Sequence, residues 1–394
     1  MVYMATTVPG VYDLPPEHKE FRATIRQIVD ERVRPRAAEI DRAGEYPWDI
    51  RRLFAEHDIL ALPFAPEHGG TGTGTLMLQV AVEEIARACA SSALILMIQE
   101  LGTLPIQMFG SDELKERFLP KCATGEWTPA FCLSEPEAGS DVGALRTTAL
   151  RDGDEWVITG TKNWISNASI ADFYVVFART PARDGDADGG RRRRMSAFVV
   201  EKDRPGFSVP KLEHKLGIKG SPTGSPVFEE VRVPAENLIG VEGRGMSMAL
   251  ATLERTRLGA AAQAVGIAQG ATDYANQYAK ERLAFGQPIH EFQGIEFKLA
   301  DMETRTAAAR ELLYKACAIA DRGEPSLGKW TSMAKLFASD TAMAVTVEAV
   351  QVLGGYGYVN EYPVERMLRD AKITQIYEGT NEIQRLVIAR AMRG

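Results

Sequence analysis

The sequence lacks what a metal centre or a disulfide framework needs. Its four cysteines (Cys89, Cys122, Cys132 and Cys317) are spread over 394 residues with no C-x-x-C pair, so neither a disulfide frame nor a zinc site is indicated. The five histidines are scattered without metal-ligand spacing, and no metal is expected. A net charge of −7 argues against nucleic acid as a partner and gives no attraction to anionic membranes. No apolar run reaches the roughly 18 residues that cross a bilayer, so no membrane span is expected. The opening MVYMATTVPG has no charged n-region followed by an apolar core, as a secretory signal would. A reducing cytoplasm is therefore the expected location.

What is present is an ordinary globular composition, 45% hydrophobic and 25% charged, long enough for two or three cooperating domains. Residues 16–125 read as helical. EHKEFRATIRQIVDERVRPRA aligns Phe21, Ile25, Ile28 and Val29 on one stripe. LMLQVAVEEIARACASSALILMIQELGTLPI is more apolar and suits a helix pair covered on several sides, and the Gly-rich PFAPEHGGTGTG separates the two. From Glu126 the period changes. EWVITGTKNWIS, DFYVVFAR, MSAFVVE and VFEEVRVP read as antiparallel strands between Gly, Pro and Asp clusters. Residues 181–194 read as a connecting loop, whose RRRR run is a solvated hairpin tip. Long helices return at 245–281, through the line Phe292, Ile295, Leu299, Met302 and Thr306, and at 329–353, which together mean a bundle. The expected domains are 1–127, 128–241 and 242–394.

Four stretches carry possible chemistry. FCLSEPEAGSDVGAL (131–145) offers the amides of Gly139, Ser140 and Asp141 and the hydroxyls of Ser134 and Ser140. Such a turn can cradle a phosphate or a flavin edge, or can be a plain turn. GTKNWISNASIAD (160–172) sets Trp164 on a strand among Lys162, Asn163, Ser166 and Asn167, either as a wall for a planar cofactor or as a core tryptophan. QVLGGYGYVNEYPVERMLRDAKI (351–373) breaks a helix at Gly354, Gly355 and Gly357; it follows a helix rather than a strand, so it is not a dinucleotide fingerprint. In QIYEGTNEIQRL (375–386), Glu378 is either a carboxylate in the first turn of a helix or a base held against a substrate.

In this order, the stretches closely resemble the acyl-CoA dehydrogenase family. CLSEPEAGSDVGA looks like its first signature, QVLGGYGYVNEYPVERMLRD like its second and IYEGT like its catalytic segment. KLGIKGSPTGSPVFEEVRVPAENLIG and ERLAFGQPIHEFQGIEFKLADM are similar to further family blocks, and the resemblance runs from about residue 15 to 392. It implies an α+β multidomain fold: an N-terminal helical domain, a middle antiparallel β-barrel domain and a C-terminal four-helix bundle. The implied reaction is FAD-dependent α,β-desaturation of an acyl-CoA to the trans-2-enoyl-CoA, as in fatty acid β-oxidation. Electrons then pass to an electron-transferring flavoprotein.

Residue by residue, the resemblance lays Phe131, Leu133, Ser134, Gly139 and Ser140 along the FAD, with Trp164, Ile165 and Ser166 facing the isoalloxazine and Thr380 and Glu382 also on the cofactor. Arg282, Phe285, Gln293, Gln351, Gly354 and Gly355 would reach the FAD of a neighbouring subunit, which implies a homotetramer built as a dimer of dimers. Glu378 would remove the α-proton while flavin N5 accepts the β-hydride; Ser140, Glu254, Arg257 and Gly379 would contact the substrate. Isovaleryl-CoA-type relatives place the base at the position of Thr256, which cannot serve as one. The family Asp of that block is Glu254 here. The acyl chain would lie along LILMIQELGTLP, where Gln99 and Glu100 either floor a short cavity or point to another helix or a solvent gap. The 253–325 blocks look most like the short-chain and short-branched-chain branches. An oxidase, a biosynthetic dehydrogenase of a specialised pathway and a catalytically silent subunit stand as alternatives.

Overall fold

The computed structural model describes residues 14–181 and 194–393. The opening residues read for a signal, and positions 182–193 of the arginine-bearing loop, lie outside the described residues. Six helices come first: α1 (Pro16–Ile28), α2 (Ala37–Ala43), α3 (Trp48–Glu56), α4 (Gly74–Ala88), α5 (Ala90–Phe109) and α6 (Asp112–Ala123). The α1 stripe turns inward as its spacing requires, with Ile25 and Val29 buried and Phe21 and Ile28 half-buried. At Asp112 the Ser111 hydroxyl accepts from Leu114 N at 3.3 Å, an N-cap that starts α6.

α5 is the expected apolar helix covered on several sides, and only its apolar length exceeds the sequence reading. Its 20 residues are long and apolar enough to cross a membrane, as is the stretch Leu327–Tyr358. The α5 window is 78% buried inside the protein, against α4, α7 and the sheet, so its apolarity on all sides is that of a core helix.

The strands are β1 (Pro129–Cys132), β2 (Thr148–Asp152), β3 (Glu155–Thr161), β4 (Ile165–Ser166), β5 (Phe173–Thr180), β6 (Arg194–Glu201), β7 (Phe207–Ser208), β8 (Thr223–Gly224), β9 (Val227–Pro234) and β10 (Leu238–Ile239). Eight form one sheet in the order β10-β6-β5-β2-β3-β9-β7 with β1 beside β5, while β4 pairs with β8. Most pairings are antiparallel as expected, but β1 and β2 both meet β5 in parallel. A parallel neighbour needs a long connection, and the signature loop after β1 and the segment 162–172 after β3 provide it. The central β5 and β6 are near-continuous apolar runs because a separate hydrophobic cluster covers each face.

α7 (Gly245–Glu281), the β11–β12 hairpin (Leu283–Ala284 and Gln287–Pro288), α8 (Gln293–Asp321), α9 (Leu327–Leu353), α10 (Pro363–Thr374) and α11 (Asn381–Ala391) complete the chain. The first and last helical regions are far apart in sequence yet share one hydrophobic core, running from Ile25 to Ala371. Phe131 and Leu253 pack against both that core and the sheet core, which marks the seam between them.

Candidate active site

Glu378 sits in the short connection between α10 and α11, where it and Gly379 both take left-handed backbone, at φ 55° and 86°. For a glutamate this conformation costs about 1–3 kcal/mol, so the surroundings must hold it. They do so from three helices. On α7, Thr256 Oγ1 donates to Glu378 Oε2 at 2.9 Å and Arg257 Nε to the Glu378 carbonyl at 3.3 Å. On α9, Lys335 Nζ donates to Gly379 O at 2.8 Å and Asn381 Oδ1 at 2.9 Å. On α11, Gln384 Nε2 reaches the carbonyls of Glu378 (3.2 Å) and Gly379 (2.8 Å). Thr380 is the N-cap of α11, its hydroxyl accepting from Ile383 N at 3.4 Å, and Glu382 is the acid of the first turn. Glu378 thus lies ahead of the helix and plays no capping part. Among the described residues its N–H has no protein acceptor.

Residue 378 as a whole is partly open to solvent, yet protein atoms crowd its carboxylate. That desolvation raises its pKa, against the Thr256 hydrogen bond and the charges of Arg257 and Lys335. Burial likewise pushes Lys335 down to about 7, with Glu378 opposing the shift. Beside them the Tyr377 hydroxyl donates to Gln263, which is tied by its own amide to Ala90 O at 2.9 Å.

The signature loop after β1 is strapped to the Trp164 segment. Lys162, fully buried, donates to Glu135 Oε1 at 2.8 Å and Leu133 O at 3.2 Å, and Asn163 N donates to Ser134 O at 2.9 Å. Glu135 also accepts from the backbone of Arg146 (2.5 Å) and Thr147 (3.0 Å), closing the loop on itself. Trp164 is not on a strand and not in the core. It lies in the bend before β4 at φ 63°, 60% exposed, so a large flat ring is held outward where packing would otherwise bury it. Ser134 and Ser166 are half-buried beside it, Leu133 and Ile165 are buried beneath, and Gly139 and Ser140 are exposed. A methyl added at Gly139 would meet nothing within 4 Å. An outward aromatic face, open backbone and flanking hydroxyls fit a flavin.

A second group gathers elsewhere. The Arg282 guanidinium lies 5.0 Å over the Tyr356 ring, and Phe285, 98% exposed at φ 51°, meets Phe292 edge-on at 6.0 Å. Gln293, Gln351, Gly354 and Gly355 are exposed around them. Arg257 and Arg282 are both on or next to α7, and 25 residues at ~1.5 Å rise separate them by ~38 Å. One chain therefore does not bring this group to Glu378.

Three family models cover nearly the whole chain: the acyl-CoA dehydrogenase N-terminal domain at residues 15–126, the middle domain at 130–231 and the C-terminal domain at 243–393. The chain belongs to the acyl-CoA dehydrogenase family. It is 46% identical over 382 residues to the probable acyl-CoA dehydrogenase fadE25 of Mycobacterium leprae, covering 97% of each chain. To the cyclohexane-1-carbonyl-CoA dehydrogenase of Geobacter metallireducens it is 49% identical over 369 residues, covering 93% of this chain and 95% of that one. The fold matches butyryl-CoA dehydrogenase from Megasphaera elsdenii with a TM-score of 0.92 at 40% identity, covering 97% of this chain and 100% of that one. This acyl-CoA dehydrogenase is accordingly an FAD flavoprotein and an oxidoreductase acting on CH–CH groups.

Several neighbours of Glu378 in this acyl-CoA dehydrogenase escaped the sequence reading. Thr256, excluded as a base by its chemistry, stands beside Arg257 and donates to the carboxylate. Lys335 had one available signal, a lysine inside the apolar helix α9. Arg257 is buried, with Nη1 3.4 Å from Ser332 Oγ, and braces the Glu378 loop. The Glu254 carboxylate packs over Gly328, where an added Cβ would come within 2.0 Å of Oε1. Gln99 and Glu100 part company. Gln99 Nε2 donates to Cys122 O at 2.6 Å, pointing to another helix, whereas Glu100 has its pKa raised, by burial first and by the nearby Glu378 charge as well.

Proposed function

We propose that this enzyme desaturates a short or short-branched acyl-CoA between its α and β carbons, with Glu378 as the base that takes the α-proton. The observation that carries this reading is the Glu378 loop: a carboxylate on left-handed backbone, tied from three helices and desolvated so that its pKa rises. An α-proton beside a thioester is a weak acid, so a base with a raised pKa is better matched to it. The open Glu378 N–H is available to the thioester oxygen, where it would stabilise enolate character. FAD, when bound, supplies the acceptor for the β-hydride. Ser134, Gly139, Ser140, Trp164, Ser166 and the Thr380–Glu382 turn would hold it, with Phe131 at the seam behind. Ser140, Glu254, Arg257 and Gly379 line the route for the thioester and CoA in this reading. The butyryl and cyclohexane-1-carbonyl relatives both handle compact acyl groups, which supports the short-chain assignment.

The same reading places the domain boundaries near 127/128 and 241/242, passes electrons to an electron-transferring flavoprotein and puts the enzyme in cytoplasmic fatty acid β-oxidation. It also makes the enzyme a homotetramer, because the Arg282–Phe285–Gly354 group, ~38 Å along α7 from Arg257 beside the base, would complete a neighbour's FAD site. Light scattering is expected to give a tetramer; a stable monomer retaining full FAD would remove the shared site. The function itself is tested by anaerobic titration with saturated acyl-CoAs of increasing length and branching. Bleaching of the flavin absorbance by short acyl chains is expected, and no bleaching by any of them would defeat the reading.

Thr256→Val is expected to move the acidic limb of the kcat/KM profile to higher pH by about one unit. The Thr256 hydroxyl favours the charged carboxylate, so losing it raises the Glu378 pKa and delays its deprotonation as pH rises. A profile that stays in place would show that the hydrogen bond does not tune the base.

A further inference from the structure

The helix α9 meets the Glu378 loop through Lys335, Ser339 and Asp340, whose spacing puts them on one helical face. Two of the three clamp the ends of the loop. Asp340 Oδ1 accepts from Gln375 Nε2 at 2.7 Å and from Asn381 Nδ2 at 2.8 Å, and Ser339 Oγ donates to Asn381 Oδ1 at 3.1 Å. Asn381 N in turn donates to Gln375 O at 3.0 Å, so the two ends are tied to each other. Entry and exit of the loop are thus fixed without Lys335.

Lys335 reaches the middle of the loop instead. Its Nζ donates to Gly379 O, which also accepts from Gln384 Nε2, while Arg257 Nε and the same Gln384 nitrogen share the preceding carbonyl, that of Glu378. Two consecutive carbonyls of the left-handed turn are therefore each held by a cation and bridged by one amide. A neutral donor would satisfy Gly379 O as well. The lysine is nevertheless fully buried, and the partners it bonds, Gly379 O and Asn381 Oδ1, are neutral. Burying a cation without a bonded carboxylate is costly, and burial pushes this one down to about 7. The charges that act on it are Glu378 in the loop, Arg257 on α7, Asp340 on α9 and Glu382 on α11. The coupling runs both ways. Burial raises the Glu378 pKa, Arg257 and Lys335 are the cations that favour its charged form, and Glu100 on α5 is a like charge nearby.

We propose that Lys335 is a positioning residue of the desaturation. As an ammonium it fixes the Gly379 carbonyl, and with it the left-handed turn that aims the Glu378 carboxylate and N–H, and its charge keeps Glu378 ionised until the acyl-CoA arrives. This rests on the reading of Glu378 as the base. At 0% exposure Lys335 offers no surface to a substrate and acts through Glu378. Its loss is therefore felt in turnover and in the pH profile rather than in acyl-CoA binding.

The test compares Lys335→Met and Lys335→Gln holoenzymes with wild type, using the acyl-CoA that bleaches the wild-type flavin fastest. Lys335→Met is expected to keep its FAD and a KM within about threefold of wild type, while kcat falls about tenfold or more. The acidic limb of its kcat/KM profile is expected to move up by about one pH unit or more. Removing the cation raises the Glu378 pKa, so the base sheds its proton only at higher pH. Lys335→Gln keeps a donor for Gly379 O without the charge, and is expected to recover part of kcat with the limb still shifted. A Lys335→Met enzyme with wild-type kcat and an unmoved limb overturns the proposal, as does a defect confined to KM or a Lys335→Gln limb back at the wild-type position. Loss of FAD and a collapsed Tm in both variants also overturns it, because Lys335 then serves the fold alone. Near wild-type flavin reduction by Glu378→Gln, or no reduction by any acyl-CoA, instead removes the underlying reading.

Discussion

Glu378→Gln should bind acyl-CoA and keep its FAD, yet reduce the flavin about 10²- to 10⁴-fold more slowly than wild type, the range a positioned general base contributes. The amide is nearly isosteric, and the bonds that hold the loop go mostly to backbone: Arg257 and Gln384 to the Glu378 carbonyl, Lys335 and Gln384 to Gly379. Only the Thr256 contact at Oε2 depends on the side chain, and the hydroxyl can donate to an amide oxygen too. The fold is therefore expected to persist, with Tm near wild type and the yellow colour retained. Rapid-mixing absorbance under anaerobic conditions measures the reduction step directly. A rate within a factor of a few of wild type, with FAD bound, would mean that another group takes the proton.

The second large effect is expected in the signature loop. Lys162→Met leaves Glu135 buried without its cation, and breaking a buried pair by removing one partner costs about 3–5 kcal/mol. Glu135 does more than neutralise a charge. It accepts from Arg146 N and Thr147 N, and Lys162 also holds Leu133 O, so the whole 133–147 loop hangs on this pair. The variant is expected to lose FAD on gel filtration and to melt well below wild type. Lys162→Met combined with Glu135→Gln should recover part of the stability, because it removes the unpaired charge and the single glutamine carbonyl oxygen still accepts from one of the two amides. Thermal denaturation followed by flavin fluorescence separates the outcomes. Unchanged melting and FAD content in the single variant would show that the strap does not shape the loop.

The elements and the family are legible in local pattern alone. Helical and strand periods are written in local spacing: the three long C-terminal helices match α7, α8 and α9, and EWVITGTKNWIS, DFYVVFAR, MSAFVVE and VFEEVRVP fall on β3, β5, β6 and β9. Motifs read in order carried the family because each is a contiguous run. Glu378 stood out for the same local reason, a carboxylate followed by Gly379 and a capping Thr380. What depends on contacts across the chain was not legible. No local pattern says that the first and last helical regions share one core or that β1 and β2 run parallel to β5. Trp164 shows the limit well. Its residue type and neighbours fit a core position equally, and only the left-handed bend at φ 63° turns the indole outward. The same holds for Thr256 and Lys335, which lie 122 and 43 residues from Glu378 in sequence. They meet the Glu378 loop because α7 and α9 pack around one core. A side chain's chemistry is local, but its desolvation and its partners are set by whatever the tertiary fold brings against it.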